Sequence, residues 1–195
     1  MLRDAYAFAI RPMTEAVMEI LKYPHPKLRE RGEEITRIDN ELIRRAHEMF
    51  EIMYANRGCG LAAPQVGWSV RLHVINISGD KSQGEELVFI NPVIVSASGS
   101  SFEEEGCLSV PGINAKVKRA ARVRVKAFDL KGEEFEIEAD GLLATALQHE
   151  TDHLDGVLFI SKLTRAGRIA NARKIKDLEE RFRAEHPEIP AACLT

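Results

Sequence analysis

The sequence predicts an α+β fold: antiparallel β-sheets packed around a central helix, with a further helix at the C-terminal end. Three observations predict it. Segments with period-two alternation cluster in the middle of the chain, segments with helical periodicity lie before and after them, and one strong hairpin signal sits between. With 195 residues, 45% of them hydrophobic, the chain is large enough for one substantial core.

In order along the chain, residues 1–17 carry only the short apolar run AYAFAI, with Asp4 before it and Pro12 and Glu15 after it. That is a poor signal peptide, and the acids disfavour a transit peptide, so a short helical or loose extension is expected, with Met13 or Met18 as alternative starts. DNELIRRAHEMFEIMYAN (39–56) reads as an amphipathic helix. Asp39 or Asn40 can cap it, and Leu42, Ile43, Ala46, Met49, Phe50 and Met53 form one apolar stripe. Gly58 and Gly60 then break the pattern.

VRLHVINI (70–77) alternates as a strand, SGDKSQGEE is a polar turn, and LVFINPVIVSAS (87–98) is a strand with a proline irregularity. ARVRVKAFDL, Lys131-Gly132 and EEFEIEA form two alternating strands around a glycine turn. Asp140 can cap the next helix, GLLATALQHETDHL, and Gly156 can end it. A last helix spans about 163–186 and stops at Pro187.

Lys and Arg number 27 and Asp and Glu 30, a net charge of −3, so no basic excess points to DNA or RNA as the main partner. The three cysteines, Cys59, Cys107 and Cys193, are too few and scattered for a disulfide framework, which suits a reducing cytoplasm. No apolar run reaches the roughly 20 residues that a membrane span requires.

Chemistry concentrates in QHETDHLDG (148–156). On a helix, His149 and His153 stand one turn and about 40° apart, so both rings can converge on one ion. Glu150 lies about 60° from His153 in the other sense, beside such an ion and placed to act as a base. Histidines at this spacing also occur as ordinary core or surface residues. The flanking Leu142, Leu143, Ala146 and Leu147 predict a helix packed in the core, where buried imidazoles need partners.

A catalytic metal usually takes three protein ligands. The extended pattern HExxHxxGxxH fails here, because position 159 is Phe159. Two sources of a third ligand remain. Glu179 or Glu180 on the last helix is one. The better one is Cys107 in FEEEGCLSVPG (102–112), a short irregular stretch between strands, although a free cysteine is most often a small buried hydrophobe. In GCGLAAPQVG (58–67) the glycines permit close backbone approach, Cys59 suits a pocket wall, and the Gln65 amide can donate to an oxyanion. Alone, that segment reads more readily as a structural loop.

Taken in order, GCGLAAPQ (58–65), EGCLS (105–109) and QHETDHLDG (148–156) resemble the three signature motifs of the peptide deformylase family. LKYPHPKLRE (21–30) and the Gly-Leu-Leu run at 141–143 extend the resemblance over roughly residues 18–165. It implies one metallohydrolase domain over 18–186, between an extension at 1–17 and a tail at 187–195. The implied reaction removes the formyl group from the N-terminal formyl-methionine of nascent polypeptides and releases formate.

By motif, Cys107, His149 and His153 would be the ligands of Fe²⁺, with Zn²⁺, Ni²⁺ or Co²⁺ able to replace it. Glu150 would move the proton, and the Gln65 amide with the Leu108 backbone N–H would face the oxyanion. Cys59, Leu142, Thr145 and Ala146 would line the methionine pocket. Backbone at Gly60 and Glu105 would pair with an extended substrate.

Family members often carry Arg or Tyr where this chain has Asn114, which implies weaker or different selectivity beyond methionine. Arg119 is expected to pair with a buried acid such as Asp152. In some relatives a basic terminal helix docks on the ribosome. Here Arg165, Arg168, Arg173, Lys174, Lys176, Arg181 and Arg183 are interleaved with Asp177, Glu179 and Glu180, which reads as a solvated face. A bacterial cytoplasm and an organelle both suit the sequence. Two rivals stand beside this reading: an HExxH zinc peptidase with a later third ligand, and a non-catalytic metal-binding, ribosome-associated module.

Overall fold

The computed structural model describes residues 18–190. The expectations for residues 1–17, for Cys193 and for the end of the tail lie outside them. The α+β class is observed, with the helix that carries the histidines between two antiparallel sheets.

Helix α1 spans Asn40–Ala55, and the Asp39 carboxylate caps it by accepting from the Leu42 amide at 3.0 Å. Leu42, Ala46, Met49, Phe50 and Met53 of the expected stripe are buried, and Ile43 is only half-buried at its margin. Strands β1 (Gly60–Ala62), β2 (Leu72–Ile75) and β3 (Leu87–Ser98) follow. The hairpin of β4 (Ser101–Cys107) and β5 (Val110–Arg119) comes next, then β6 (Arg122–Phe128) and β7 (Glu134–Asp140). Helix α2 (Gly141–Leu154) and helix α3 (Arg165–Glu185) complete the order. Strands β1-β2-β3-β6-β7 form one five-stranded sheet, and β4 and β5 form a sheet of their own.

Period-two alternation divides the large sheet between two cores. Leu72 and Val74 of β2 pack with α1, whereas Ile75 and Phe89 pack in the cluster that contains Ala146 and Leu147 of α2. Gln148 fixes α2 lengthwise: its side chain accepts from the Ala120 amide at 2.9 Å and donates to the Ala120 carbonyl at 3.0 Å. Gly156 ends the helix as expected. Its φ is +70°, and a Cβ there would stand 2.3 Å from the Arg29 carbonyl oxygen. Asp140 occupies the N-cap position of α2, but its side chain makes no capping bond.

The β4–β5 hairpin departs from the sequence expectation. Its only buried β4 side chain is Glu105, so β4 looks like a polar loop, and Pro111-Gly112 interrupts the alternation of β5. The proline irregularity in β3 is present as a register shift between Ile90 and Val93. Helix α3 covers the hairpin's far side through Leu178, which shares a cluster with Val110, Ile113 and Val117.

Burial at α1 sets a testable scale. Met49 is fully buried, so Met49→Ala is expected to lower unfolding free energy by about 2–5 kcal/mol in chemical denaturation. Ile169 on α3 is 69% exposed, and Ile169→Ala is expected to stay within about 0.5 kcal/mol.

Candidate metal centre

Helix α2 puts His149 and His153 side by side, with ring centroids 5.0 Å apart. Cys107, the last residue of β4, brings its Sγ to 3.3 Å from His153 Nε2. One donor atom from each of Cys107, His149 and His153 lies within 4.8 Å of the others, the only such cluster of three among the described residues. A thiolate and two imidazoles converging at this span fit a first-row divalent cation.

The fit extends outward. His149 Nδ1 bonds Glu105 Oε2 at 2.8 Å, which leaves Nε2 for an ion. Glu105 is gripped by Arg119 through two bonds of 2.7 and 2.9 Å. Arg119 also reaches Asp152 on α2, as its charge led us to expect, and Asp152 receives Lys162 at 2.6 Å. Burial alone would raise the Glu105 carboxyl, but its bonds to Arg119 and His149 outweigh burial and hold it at about 2. The side chain of Glu105 is therefore committed to orienting His149, and only its backbone is left for substrate.

Burial disfavours charge on both rings. The Cys107 sulfur and the Glu105 carboxylate overcome that at His149 and hold it well above the ordinary range. His153 is driven well below it by burial and by the positive charge at His149.

Glu150 is buried, and its Oε2 bonds no protein group. Burial raises it to about 7; His149 pulls the other way, and Glu105 and Asp152 add to the rise. Gly60 makes room for it, since a Cβ there would lie 2.5 Å from Glu150 Oε1. Gln65, 2% exposed, accepts from the Ala62 amide at 2.8 Å and aims its Nε2 at Ser109 Oγ (3.2 Å) and Cys107 Sγ (3.5 Å).

These groups share a cavity of about 540 Å³. Cys59, Gly60, Gln65, Glu105, Cys107 and Leu108 line it together with Leu142, Thr145, Ala146, His149 and Glu150 of α2. His153, the third member of the cluster, lies outside that lining and is 1% exposed. Leu142 departs from the buried collar expected of it: in the first turn of α2 it is 54% exposed, at the cavity mouth. Asn114 also lines the cavity.

Glu179 and Glu180 are engaged elsewhere, with the Tyr23 hydroxyl at 2.7 Å and Lys176 at 3.3 Å. The sequence did not single out Ser109 or Lys22. Ser109 is fully buried against Gln65, and Lys22 Nζ bonds the Leu108 carbonyl at 2.8 Å from the cavity rim. Neither has a local sequence signal, because each is recruited across the fold.

A family model described as Polypeptide deformylase matches residues 17–168. Peptide deformylase of Acidobacterium capsulatum is 46% identical over 163 residues, covering 84% of this chain and 96% of that one. That of Neisseria gonorrhoeae is 47% identical over 161 residues, covering 82% and 95%. Among solved structures, a plant peptide deformylase superposes with a TM-score of 0.87 at 39% identity, covering 90% of this chain and 96% of that one. A peptide deformylase from Legionella pneumophila superposes with a TM-score of 0.77 at 44% identity, covering 90% and 100%.

Removing the central cation of the buried network would leave Glu105 and Asp152 uncompensated. Arg119→Ala is expected to cost about 3–5 kcal/mol of stability, read by denaturant titration; an unchanged midpoint would remove Arg119 from the account.

Proposed function

The chain belongs to the polypeptide deformylase family, and from that premise we propose how its own residues divide the work. The enzyme is a peptide deformylase, a metal-dependent hydrolase that removes the formyl group from N-terminal formyl-methionine and releases formate. The carrying observation is the convergence of Cys107, His149 and His153 with Glu150 alongside.

Cys107 Sγ, His149 Nε2 and His153 Nε2 would hold the ion, which when bound would supply Lewis acidity for the hydrolysis. Glu150 takes the proton from the attacking water and passes it to the amine nitrogen as the carbon–nitrogen bond breaks. Burial, which disfavours its ionised form, suits a group that first takes and then gives a proton. The Gln65 Nε2–H and the Leu108 backbone N–H face the oxygen on which negative charge grows.

Cys59, Leu142, Thr145 and Ala146 enclose the methionine side chain. Strand β1 is at the edge of its sheet and β4 pairs only with β5, so the backbone at Gly60 and Glu105 offers free edges to an extended peptide. Asn114, neutral and exposed on the cavity wall, gives weaker or different selectivity for downstream residues than an arginine there would.

We assign Fe²⁺ as the ion in the cell, because a soft thiolate beside two imidazoles suits a redox-capable metal; Zn²⁺, Ni²⁺ and Co²⁺ fit the same donors. The setting we propose is the bacterial cytoplasm, with nascent chains as substrate. No described helix is long and apolar enough to cross a membrane. On α3, Lys176 pairs with Glu180, Arg183 approaches Glu179 at 3.9 Å, and Lys174 bonds the Gly112 carbonyl. That pairing supports a solvated helix face over a ribosome-docking surface. With Glu179 and Glu180 occupied, the peptidase rival has no third ligand from α3.

Formate release from formyl-Met-Ala-Ser, measured beside casein cleavage after anaerobic purification and metal analysis, tests the assignment. Glu150→Gln is expected to retain its metal and lose turnover by about 10²–10⁴-fold; full activity in that variant would refute Glu150 as the base. Gln65→Leu is expected to lower kcat by about 10²–10³-fold with the metal retained.

A further inference from the structure

Metal-bound histidines nearly always hand their second ring nitrogen to a fixed acceptor, which sets tautomer and ring angle. His149 has Glu105 in that role. His153 turns Nε2 to Cys107, and its Nδ1 is buried without a hydrogen-bond partner in the protein. A second imidazole shares this condition. His73, at the middle of β2, is fully buried, and neither of its ring nitrogens has a partner.

The topology brings the two together. His73 and Ile75 lie on the same face of β2, and Arg71 precedes the strand in a bend. At one end, Arg71 bonds the Leu154 carbonyl at 3.3 Å and Asp155 at 2.7 Å, at the C-terminal end of α2. At the other, Ile75 packs in the cluster that holds Ala146 and Leu147. Between these two anchors β2 runs along α2, and, as Glu150 to His153 fall between Leu147 and Asp155, His73 falls between Arg71 and Ile75. Its ring stacks on Phe89 at 4.8 Å, inside that same layer. Burial, with the charge of Arg71, keeps His73 neutral down to about 3, so it offers one N–H and one bare nitrogen over the working pH range.

We propose that a buried water molecule joins His153 Nδ1 to His73, and that His73 is thereby a positioning residue for the metal ligand His153. The water accepts from His153 Nδ1–H and donates to the bare nitrogen of His73. Internal waters occupy such sites, where buried polar groups face one another without protein partners. His153 is thus held as the tautomer that presents Nε2. The inference rests on the reading that Cys107, His149 and His153 hold the ion.

The test uses the full-length protein stripped of metal and titrated with Co²⁺, read by affinity and by the visible cobalt spectrum. His73→Leu fills the site with an apolar side chain of similar reach. It is expected to keep its melting temperature, to bind Co²⁺ about 10- to 100-fold more weakly, and to shift the cobalt bands. His73→Asn, which retains a donor and an acceptor, is expected to recover most of the affinity and the parent spectrum. Parent-like Co²⁺ affinity and spectrum in folded His73→Leu would overturn the proposal, as would a high-resolution structure with no water between the rings. If His73→Leu does not fold, weak binding by a folded His73→Asn would overturn it instead. Cys107→Ser separates this outcome from failure of the metal site itself, since that variant must lose Co²⁺ whatever His73 does.

Discussion

The Glu105 carboxylate is the joint on which this molecule turns. It accepts two bonds from Arg119 and one contact from His149, all out of water. Arg119 sits at the end of β5 and Glu105 on β4, so the pair locks the small hairpin, while Asp152 and His149 tie that hairpin to α2. A buried ion pair is weak evidence for stability by itself, because desolvation offsets most of the attraction. Its value here is positional: it holds the strand end carrying Cys107 against the helix carrying both histidines. A loosely placed sulfur would forfeit the three-donor convergence.

The second constraint is space. Glu150 is a bulky acid inside the protein, and it fits because residue 60 has no side chain. The same loop presents Gly58 beneath Leu108, where a Cβ would approach the leucine side chain to 2.8 Å. Backbone at the free edge of β1 can then come close to whatever occupies the cavity. Gln65 completes the wall through bonds to Ala62 and Ser109, which fix the direction of its amide before any substrate arrives. Preorganisation of this kind lets a few donors matter more than their number suggests.

The electrostatic design places two glutamates in opposite conditions within one site. Glu105 is flanked by cations and stays ionised. Glu150 is buried and lies near other acids, and it titrates near neutrality. In the proposed mechanism one orients His149 and the other moves a proton, and the difference comes from surroundings alone.

Much was legible from residue order. The helices at 40–55, 141–154 and 165–185 follow from periodicity and caps, and the β6–β7 hairpin follows from alternation about a glycine turn. The spacing of His149, Glu150 and His153 is local, so a helix alone brings both rings to one side. Position across the fold was not legible. β4 hides as a polar loop because its single inward side chain is a glutamate, and that glutamate makes sense only once Arg119 and His149 surround it. Leu142, expected both to flank the histidines in the core and to line the pocket, stands at the cavity mouth, because depth along a helix depends on what packs against each turn. Ser109 and Lys22 acquire their partners from strands and loops far away in the chain. Sequence determines what a residue can do through its nearest turn or strand neighbour; contacts between distant segments decide what each buried polar group meets, because only packing removes water from it.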